Sequence, residues 1–256
     1  MDEIDRRIIF YLLKNGRTSQ NELSKLIGIS VPSISHRFKR LISEGIIRSF
    51  KLFVNPNLYG KYYVYAAFKN IKDIEHKFIF SKFKCLEEFN VYGIEGNSLE
   101  ELEKLIENLS NELGPPFMKY LPSQNFIELR KEYLKLIYVL NENPRLELHE
   151  IAKRMDIKVK KLRKILNEIK NYMAVIPEVN LIKCDSFLLA IFSKRMHFIK
   201  TITSNNSILT IDQGGEGIEI CFINGLNLAK SIIERIKSQD PSSYLMLVYD
   251  YSIRGI

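Results

Sequence analysis

The chain has 256 residues, with 38 Lys and Arg against 30 Asp and Glu, so it is long for a single domain and carries a net charge of +8. Its three cysteines, Cys85, Cys184 and Cys221, are scattered singly among apolar residues, which excludes a disulfide framework and a cysteine-based metal site. No apolar run approaches the ~18 residues of a membrane helix, so we expect a cytoplasmic protein without a membrane span, signal peptide, metal or cofactor.

The first residues predict two short helices and a tight turn. Asp2 is a candidate N-cap for the first helix, with Asp5 three residues further on. Ser19 and Glu22 have the spacing of a capping box at the start of the second helix. Gly28 is expected at the sharp turn that follows, because glycine adopts positive φ at little cost.

The third predicted helix begins after Ser30, has Pro32 in its first turn and packs through Ile34, Phe38 and Leu41. At 100° per residue, its opposite face carries short hydroxyls, an imidazole and long cations, which can reach phosphates and base edges. The alternating segment Ile46–Leu52 is expected to be a wing strand. The candidate DNA-binding residues are Ser30, Pro32, Ser33, Ser35, His36, Arg37, Lys39, Arg40, Arg48 and Lys51.

A charged face on a short helix is often only a solvated face, so the distribution of charge matters. Residues 1–60 hold 10 basic and 5 acidic residues, whereas residues 61–128 hold 8 basic and 11 acidic residues. The positive charge therefore lies in the segment that would face a polyanion. The first segment predicts a winged helix-turn-helix that places its third helix in the major groove of DNA.

Several motifs follow one another through residues 2–60. They are Asp2-x-x-Asp5-x-x-Ile8-Ile9, Asn15-Gly16-Arg17, Glu22-Leu23, Gly28-Ile29-Ser30, Ser35-x-Arg37, Lys39-Arg40-Leu41, Glu44-Gly45-Ile46-Ile47 and Asn55-Pro56-x-Leu58-x-Gly60. In this combination they resemble the N-terminal domain of the leucine-responsive/AsnC regulators, the feast/famine regulatory proteins of bacteria and archaea. The resemblance implies a transcription factor whose C-terminal α/β sandwich dimerises through its sheet and binds small effectors, often amino acids.

The second half of the chain repeats the first. Residues 133–182 follow the layout of residues 5–54 at an offset of 128 residues, so we predict a tandem duplication of the whole two-domain unit. In the second copy Lys158 stands at the cap position of the third helix, and Asp156 replaces the turn glycine. Its outward face is cationic, and the candidate secondary phosphate contacts are Lys158, Lys160, Lys161, Arg163 and Lys164.

Two interpretations of this second copy stay open. Residues 129–182 hold 12 basic and 7 acidic residues, which suits either phosphate contact without base reading or a surface that is only solvated. The expected wing at Ala174–Leu181 contains Pro177 and no arginine. Because proline removes a ladder donor, the sequence argues against a matching wing strand.

Residues 61–128 and 183–256 alternate apolar strands with a helical layer and predict two ferredoxin-like (βαββαβ) units. The segment near Phe78–Phe83 is expected to be a strand and not a short helix. The candidate effector loops are Gly93–Asn97 and Asp212–Gly217, although glycines also serve simply to turn hairpins. The residues concerned are Gly93, Gly96, Asn97, Gln213, Gly214 and Gly215.

The predicted fold class is therefore α+β, with two winged helix-turn-helix domains (residues 1–60 and 129–182) alternating with two ferredoxin-like sandwich domains (61–128 and 183–256). Two sandwich halves on one chain can pair with each other, which would make each chain a pseudo-dimer. We expect further self-association, as a homodimer, through these domains. The abundance of Ile, Lys and Asn favours an AT-rich, archaeal genome.

The leading functional hypothesis is a sequence-specific regulator of transcription that binds double-stranded DNA, responds to a small effector such as an amino acid, and is not an enzyme. Sirohaem decarboxylases resemble the same family and bind a porphyrin, and Gly45-Ile46-Ile47-Arg48 is compatible with them. Against this alternative, Ser49-Phe50 follows where a second arginine is expected. A third hypothesis is a regulatory adaptor that does not bind DNA.

Overall fold

The computed structural model describes residues 1–254, and its elements fall into four groups along the chain. The first group is α1 (Glu3–Lys14), α2 (Gln20–Ile27), α3 (Val31–Ser43) and β1 (Ile47–Val54). After a 3-10 turn at Pro56–Tyr59 come β2 (Tyr62–Lys69), β3 (Ile79–Cys85), β4 (Phe89–Gly96), α4 (Leu99–Leu113) and β5 (Pro116–Tyr120). The third group is α5 (Lys131–Glu142), α6 (Leu148–Met155), α7 (Val159–Glu168) and β6 (Met173–Val179). The fourth is β7 (Ser186–Ser193), α8 (Met196–Thr203), β8 (Ser207–Gln213), β9 (Glu216–Asn224), α9 (Leu226–Gln239) and β10 (Tyr244–Ile253).

These elements confirm the predicted α+β fold class. We call the first group the first winged unit and the third group the second winged unit, and we call the second and fourth groups the first and second sheet halves. In both winged units the three helices begin 128 residues apart, whereas the strands that follow begin 126 residues apart. The difference of two arises because α7 is three residues shorter than α3, whereas the segment between α7 and β6 is one residue longer than that between α3 and β1. The domain limits predicted at residues 60, 128 and 182 stay predictions.

Local capping chemistry sets the starts of the first three helices. The Asp2 carboxylate accepts the N–H of Asp5 at 3.0 Å, and the Ser19 hydroxyl accepts the N–H of Glu22 at 3.2 Å. Both caps are full capping boxes, since the carboxylates of Asp5 and Glu22 accept the cap N–H in return. Gly28 ends α2 with φ +83°, so the predicted turn is confirmed.

The second winged unit has the same order of helices as the first, but α5 and α7 lack the side-chain caps of α1 and α3. Asp156 occupies the left-handed position of Gly28 with φ +57°, a conformation that Asp tolerates better than most residues. Lys158 makes no side-chain cap to α7, as predicted, because an ammonium cannot accept an N–H. The first turn of α7 therefore starts without the stabilisation that a hydroxyl or carboxylate cap would contribute.

The two winged units share one antiparallel sheet, in which β1 pairs with β6 from Ile47↔Val179 to Val54↔Met173. The expectation that Pro177 would prevent a second wing strand is therefore wrong. In a two-stranded sheet both strands are edges, so the missing N–H of Pro177 can face away from the ladder. Its carbonyl and the N–H of Val179 instead bind the buried hydroxyl of Tyr251 from β10.

A reciprocal exchange of arginines joins the winged units beside this sheet. The Arg17 guanidinium donates to the carbonyls of Pro144 and Leu146, the latter at 2.5 Å. The Arg145 guanidinium donates to the carbonyls of Gly16 and Thr18, the latter at 3.0 Å. Burial lowers the pKa of both guanidinium groups. We call these four hydrogen bonds the arginine exchange.

The arginine exchange is sealed by close packing. The Arg145 guanidinium lies 4.6 Å from the ring centroid of Phe50 and 5.2 Å from that of Phe38. The N–H of Gly16 donates to the carbonyl of Val175 at 3.0 Å. A Cβ at Gly16 would stand 2.3 Å from that carbonyl oxygen, so only glycine permits this approach.

The sheet halves form one eight-stranded antiparallel sheet in the order β5-β2-β4-β3-β10-β7-β9-β8. Within each half the strands take the ferredoxin-like order 4-1-3-2, and β3 joins the halves by pairing with β10. The sheet curls back on itself, since Tyr120 on β5 lies 5.5 Å from Phe192 on β7, ring to ring. The two halves therefore pair within a single chain.

The first sheet half differs from the ferredoxin-like pattern in one place. Between β2 and β3, residues 70–78 form no helix and cross the sheet as a loop. The carbonyl of Lys72 accepts from Asn90 and from the hydroxyl of Tyr92, and Ile74 is buried beside α4. This loop covers the face that α8 covers in the second half. The expected strand near Phe78–Phe83 is confirmed as β3.

Replacing Arg145 tests the arginine exchange. We expect Arg145→Gln to lower the free energy of unfolding by about 2–3 kcal/mol, because the variant leaves two buried carbonyls without a charged donor. Urea denaturation measures the loss. The matched control is Arg154→Gln, which breaks only an exposed ion pair with Glu142 and should cost under about 1 kcal/mol. Equal losses in the two variants would contradict the role given to the exchange.

Candidate nucleic-acid interface

The third helix of the first winged unit has one face in the core and one in solvent. Ile34 and Leu41 are fully buried, and Phe38 stacks on Phe50 with 6.3 Å between ring centroids. The Ser30 hydroxyl caps the helix by accepting the N–H of Ser33 at 3.4 Å. Because these contacts fix the rotation of α3 about its axis, they determine which side chains face outward.

The outward face carries the polar groups that the sequence predicted. Pro32, His36 and Lys39 are exposed, and Ser33 and Ser35 are half-buried. The side chains of His36 and Lys39 make no hydrogen bond or ion pair with any of residues 1–254. Their donors and acceptors are therefore available to a ligand.

Arg37 and Arg40 do not point freely into solvent as expected for DNA-binding residues, because carboxylates at α1 bind both guanidinium groups. Arg37 Nη1 lies 2.6 Å from Asp2 Oδ2 and 2.9 Å from Asp5 Oδ1. Arg40 Nη2 lies 2.5 Å from Asp5 Oδ2. The Asp5 side chain is fully buried, while those of Arg37 and Arg40 are 20% and 39% exposed. Sequence reasoning missed this role of Asp5 and assigned it only to the cap.

This cluster, Asp2, Asp5, Arg37 and Arg40, has consequences for charge. Two carboxylates balance two guanidinium groups, so the cluster adds no net charge to the face of α3. A guanidinium has five N–H donors, and those not committed to α1 can still bind a second acceptor. Hydrogen bonds to Asp2 and Asp5 raise the pKa of Arg37, which keeps it charged.

The predicted wing residues belong to the shared β1–β6 sheet and not to a free hairpin. Arg48 is exposed and pairs with Asp250 of β10 at 3.3 Å. Lys51 is half-buried and faces Ile176 in the ladder register. Both side chains therefore stand where the winged units meet, and Arg48 shares its guanidinium with Asp250, which offsets part of its charge.

The α7 face of the second winged unit is more exposed than the α3 face. Lys158, Lys160, Arg163 and Lys164 are all exposed and make no ion pair with any residue the structure describes. Lys161 is the exception, because its ammonium binds the Glu132 carboxylate of α5. We call the four unpaired side chains the α7 cations.

The candidate effector loops are built differently from the prediction. Residues 93–96 are not a loop, since β4 runs through Gly96, and Asn97 precedes α4. Gly93 is needed inside the strand because a Cβ there would stand 2.3 Å from the Ser81 hydroxyl oxygen. Gln213 ends β8, and Gly214 and Gly215 form a two-residue hairpin turn with φ of +68° and +102°. Effector binding at either place stays a prediction.

Metal binding, cysteine chemistry and membrane insertion can each be checked against the described residues. Within residues 1–254, no group of three or more His, Cys, Asp or Glu could hold a metal ion. Burial raises the pKa of the Cys85 and Cys221 thiols to about 12 and that of Cys184 to about 11, which makes all three poor nucleophiles. None of the described helices has both the length and the hydropathy needed to cross a membrane.

Comparison with known proteins matches residues 1–48 to the family described as winged helix-turn-helix DNA-binding. An uncharacterized HTH-type transcriptional regulator of Pyrococcus furiosus is 28% identical over 122 residues, which cover 44% of this chain and 82% of that protein. The HTH-type transcriptional regulator FL11 of Pyrococcus abyssi is 44% identical over 72 residues, covering 28% of this chain and 46% of FL11. The proline dehydrogenase transcriptional activator of Rhizobium radiobacter is 34% identical over 90 residues, covering 35% of this chain and 53% of the activator.

The chain thus spans about half the length of two of these three relatives. The matches confirm the resemblance predicted from the motifs in residues 2–60. Among solved structures, the siroheme decarboxylase NirDL is 12% identical over 99% of this chain and 94% of its own, with a TM-score of 0.44. LrpC of B. subtilis is 26% identical over 51% of this chain and 99% of its own, with a TM-score of 0.35. These TM-scores are too low to establish a shared overall arrangement.

The cap of α1 should titrate at acid pH. The N–H of Asp5 and the guanidinium of Arg37 lower the pKa of Asp2 from 3.8 to about 2. The pKa of Asp2 is lower in the folded chain than in the unfolded chain. Ionised Asp2 therefore stabilises the fold at a pH above the unfolded pKa, and this stabilisation is lost as the pH falls towards the folded pKa. Asn caps as well as Asp but does not titrate. We therefore expect the Tm of the wild type to fall relative to that of Asp2→Asn as the pH drops from 3.8 to about 2. Thermal unfolding measures both values, and a constant difference would contradict the assignment.

Proposed function

We propose that the protein is a sequence-specific regulator of transcription that binds double-stranded DNA by placing α3 in the major groove. The observation that carries the proposal is the capped, core-anchored α3 that presents the unpartnered side chains of His36 and Lys39, inside the segment that matches a DNA-binding family. The named regulators among its relatives favour DNA binding over a porphyrin enzyme. That the protein is not an enzyme is part of the proposal.

Each candidate residue receives a role from its position. His36, Ser33 and Ser35 present short donors and acceptors that suit base edges, while Lys39 suits a phosphate. Ser30 and Pro32 stand at the N-terminal end of α3, where free N–H groups attract anions. Arg37 and Arg40 hold α3 on α1 and can give their remaining N–H donors to the phosphate backbone.

We also propose where the protein works and what it binds besides DNA. A regulator acting on DNA in this way would work in the cytoplasm. Self-association through the sheet halves into a homodimer, and modulation by a small effector, are supported only by resemblance. Sedimentation of the purified chain measures the first, and a change in DNA affinity with added amino acids measures the second.

Lys39 provides a cleaner test of phosphate contact than Arg40, whose removal would also leave the buried Asp5 with only one arginine. We expect Lys39→Ala to weaken binding to specific and unrelated DNA alike, and to reduce the slope of log K against log salt by about 0.9. Fluorescence anisotropy at several salt concentrations measures both. The control is Lys104→Ala, an exposed lysine on α4 in the first sheet half, which should change neither.

His36 tests base reading by the same helix. We expect His36→Ala to lower the discrimination between the selected target and a mismatched target by about 1–3 kcal/mol. The reason is that an imidazole presents a donor and an acceptor to a base edge, whereas alanine presents neither. Competition binding with single-base variants measures the loss. An unchanged discrimination at every position would show that this face of α3 does not read bases.

A further inference from the structure

The two winged units behave as one body because two sets of hydrogen bonds join them. The β1–β6 ladder runs the length of both strands, and the arginine exchange adds four hydrogen bonds; the Tyr251 hydroxyl in turn ties β6 to the eight-stranded sheet. Leu52 of β1 and Val175 of β6 also belong to one buried cluster with the helices of the second winged unit. Neither unit can move far without breaking buried hydrogen bonds.

The contacts are also reciprocal, which fixes the relation between the units. Arg17 and Arg145 are 128 residues apart, and each reaches the loop that holds the other. In the same way α1 packs on β6, and α5 packs on β1. Reciprocity of this kind is the signature of an approximate two-fold axis, which the two-fold axis of a DNA duplex can match.

The two helices related by this axis are chemically different. The face of α3 mixes hydroxyls, an imidazole and one free ammonium, and its first turn is capped by Ser30. The face of α7 offers the four α7 cations, and α7 is uncapped and three residues shorter. A lysine ammonium is a hydrated point charge on a flexible stem, which suits a phosphate better than a defined base pattern.

Charge neutralisation points the same way. On α3 two of the three cations are held by carboxylates of α1, whereas on α7 the pairing removes only Lys161. The α7 face therefore presents more free positive charge than the α3 face, although it has fewer groups able to distinguish base pairs. The electrostatic share of DNA affinity should come largely from α7.

We propose that the target of each chain is an asymmetric DNA site, with one half-site of defined sequence under α3 and an adjoining segment held through its phosphates by α7. This inference rests on the proposed function. A conventional pair of identical winged units would instead require a palindrome, since both helices would read the same bases.

Selection of bound sequences from random DNA, followed by footprinting, tests the proposal. Light scattering of the complex gives the number of chains on each duplex, so that half-sites can be counted per chain. We expect one specified half-site per chain, with protection extending about one helical turn, ~10 base pairs, beyond it on one side. Two specified half-sites per chain, or protection confined to the specified half-site, would overturn the asymmetric target.

A variant without the α7 cations tests the second half of the site. In Lys158→Gln, Lys160→Gln, Arg163→Gln, Lys164→Gln the salt slope should fall by about 2–4, at roughly 0.9 for each lost phosphate contact. Affinity for selected and scrambled DNA should fall by the same factor, and the flanking protection should disappear. All four side chains are exposed, so thermal unfolding should be unchanged.

The charge-matched control is Lys69→Gln, Lys77→Gln, Lys104→Gln, Lys194→Gln, which removes four exposed lysines from the sheet halves. We expect this control to keep most of the wild-type slope and the full footprint. An α7 variant that behaves like the control would overturn the inference. Failure of the wild type to bind any DNA would overturn the proposed function itself, which separates the two outcomes.

Discussion

The arginine exchange is the constraint on which the arrangement of this chain depends. Arg17 and Arg145 are half-buried and donate to neutral carbonyls, so the carboxylate of Glu147 offsets only part of their desolvation. Such a contact persists only where every donor finds an acceptor in both directions. The two-fold arrangement supplies those acceptors, because each arginine binds carbonyls of the loop from which the other extends.

The two copies are joined a second time in the eight-stranded sheet, where one sheet half pairs with the other. There β3 of the first half pairs with β10 of the second, but the equivalent edges β5 and β8 end the described sheet unpaired, so the pairing is not the reciprocal kind seen in the winged units. The curl of the sheet then brings β5 against the strands of the second half. A duplicated chain therefore builds within itself the contacts that two separate subunits would otherwise make, and each copy is free to change without its partner changing.

The features that could be predicted from the sequence are those whose cause lies within a few residues. The caps at Asp2, Ser19 and Ser30 and the turn at Gly28 each follow from side-chain chemistry at fixed spacing. The partners of Asp5 lie 32 and 35 residues away, and the partners of Arg17 lie 127 and 129 residues away. No local pattern signals such pairs. Pro177 and Gly93 were misjudged for the same reason, because the strands that accommodate them come from distant parts of the chain.

The cluster around Asp5 holds two arginines of α3 in place and neutralises their charge. If α3 enters the major groove as we propose, the Asp5 carboxylate that fixes Arg37 and Arg40 would reduce the side-chain entropy lost on binding, but it would also cancel long-range attraction. Under this proposal the first winged unit would discriminate well between DNA sequences and attract DNA weakly. The α7 cations make no ion pair with any described residue, so under the same proposal they would attract DNA strongly and discriminate poorly. Because the two units are rigidly connected, each would then perform one of these two tasks, whereas each subunit of a symmetric dimer would have to perform both.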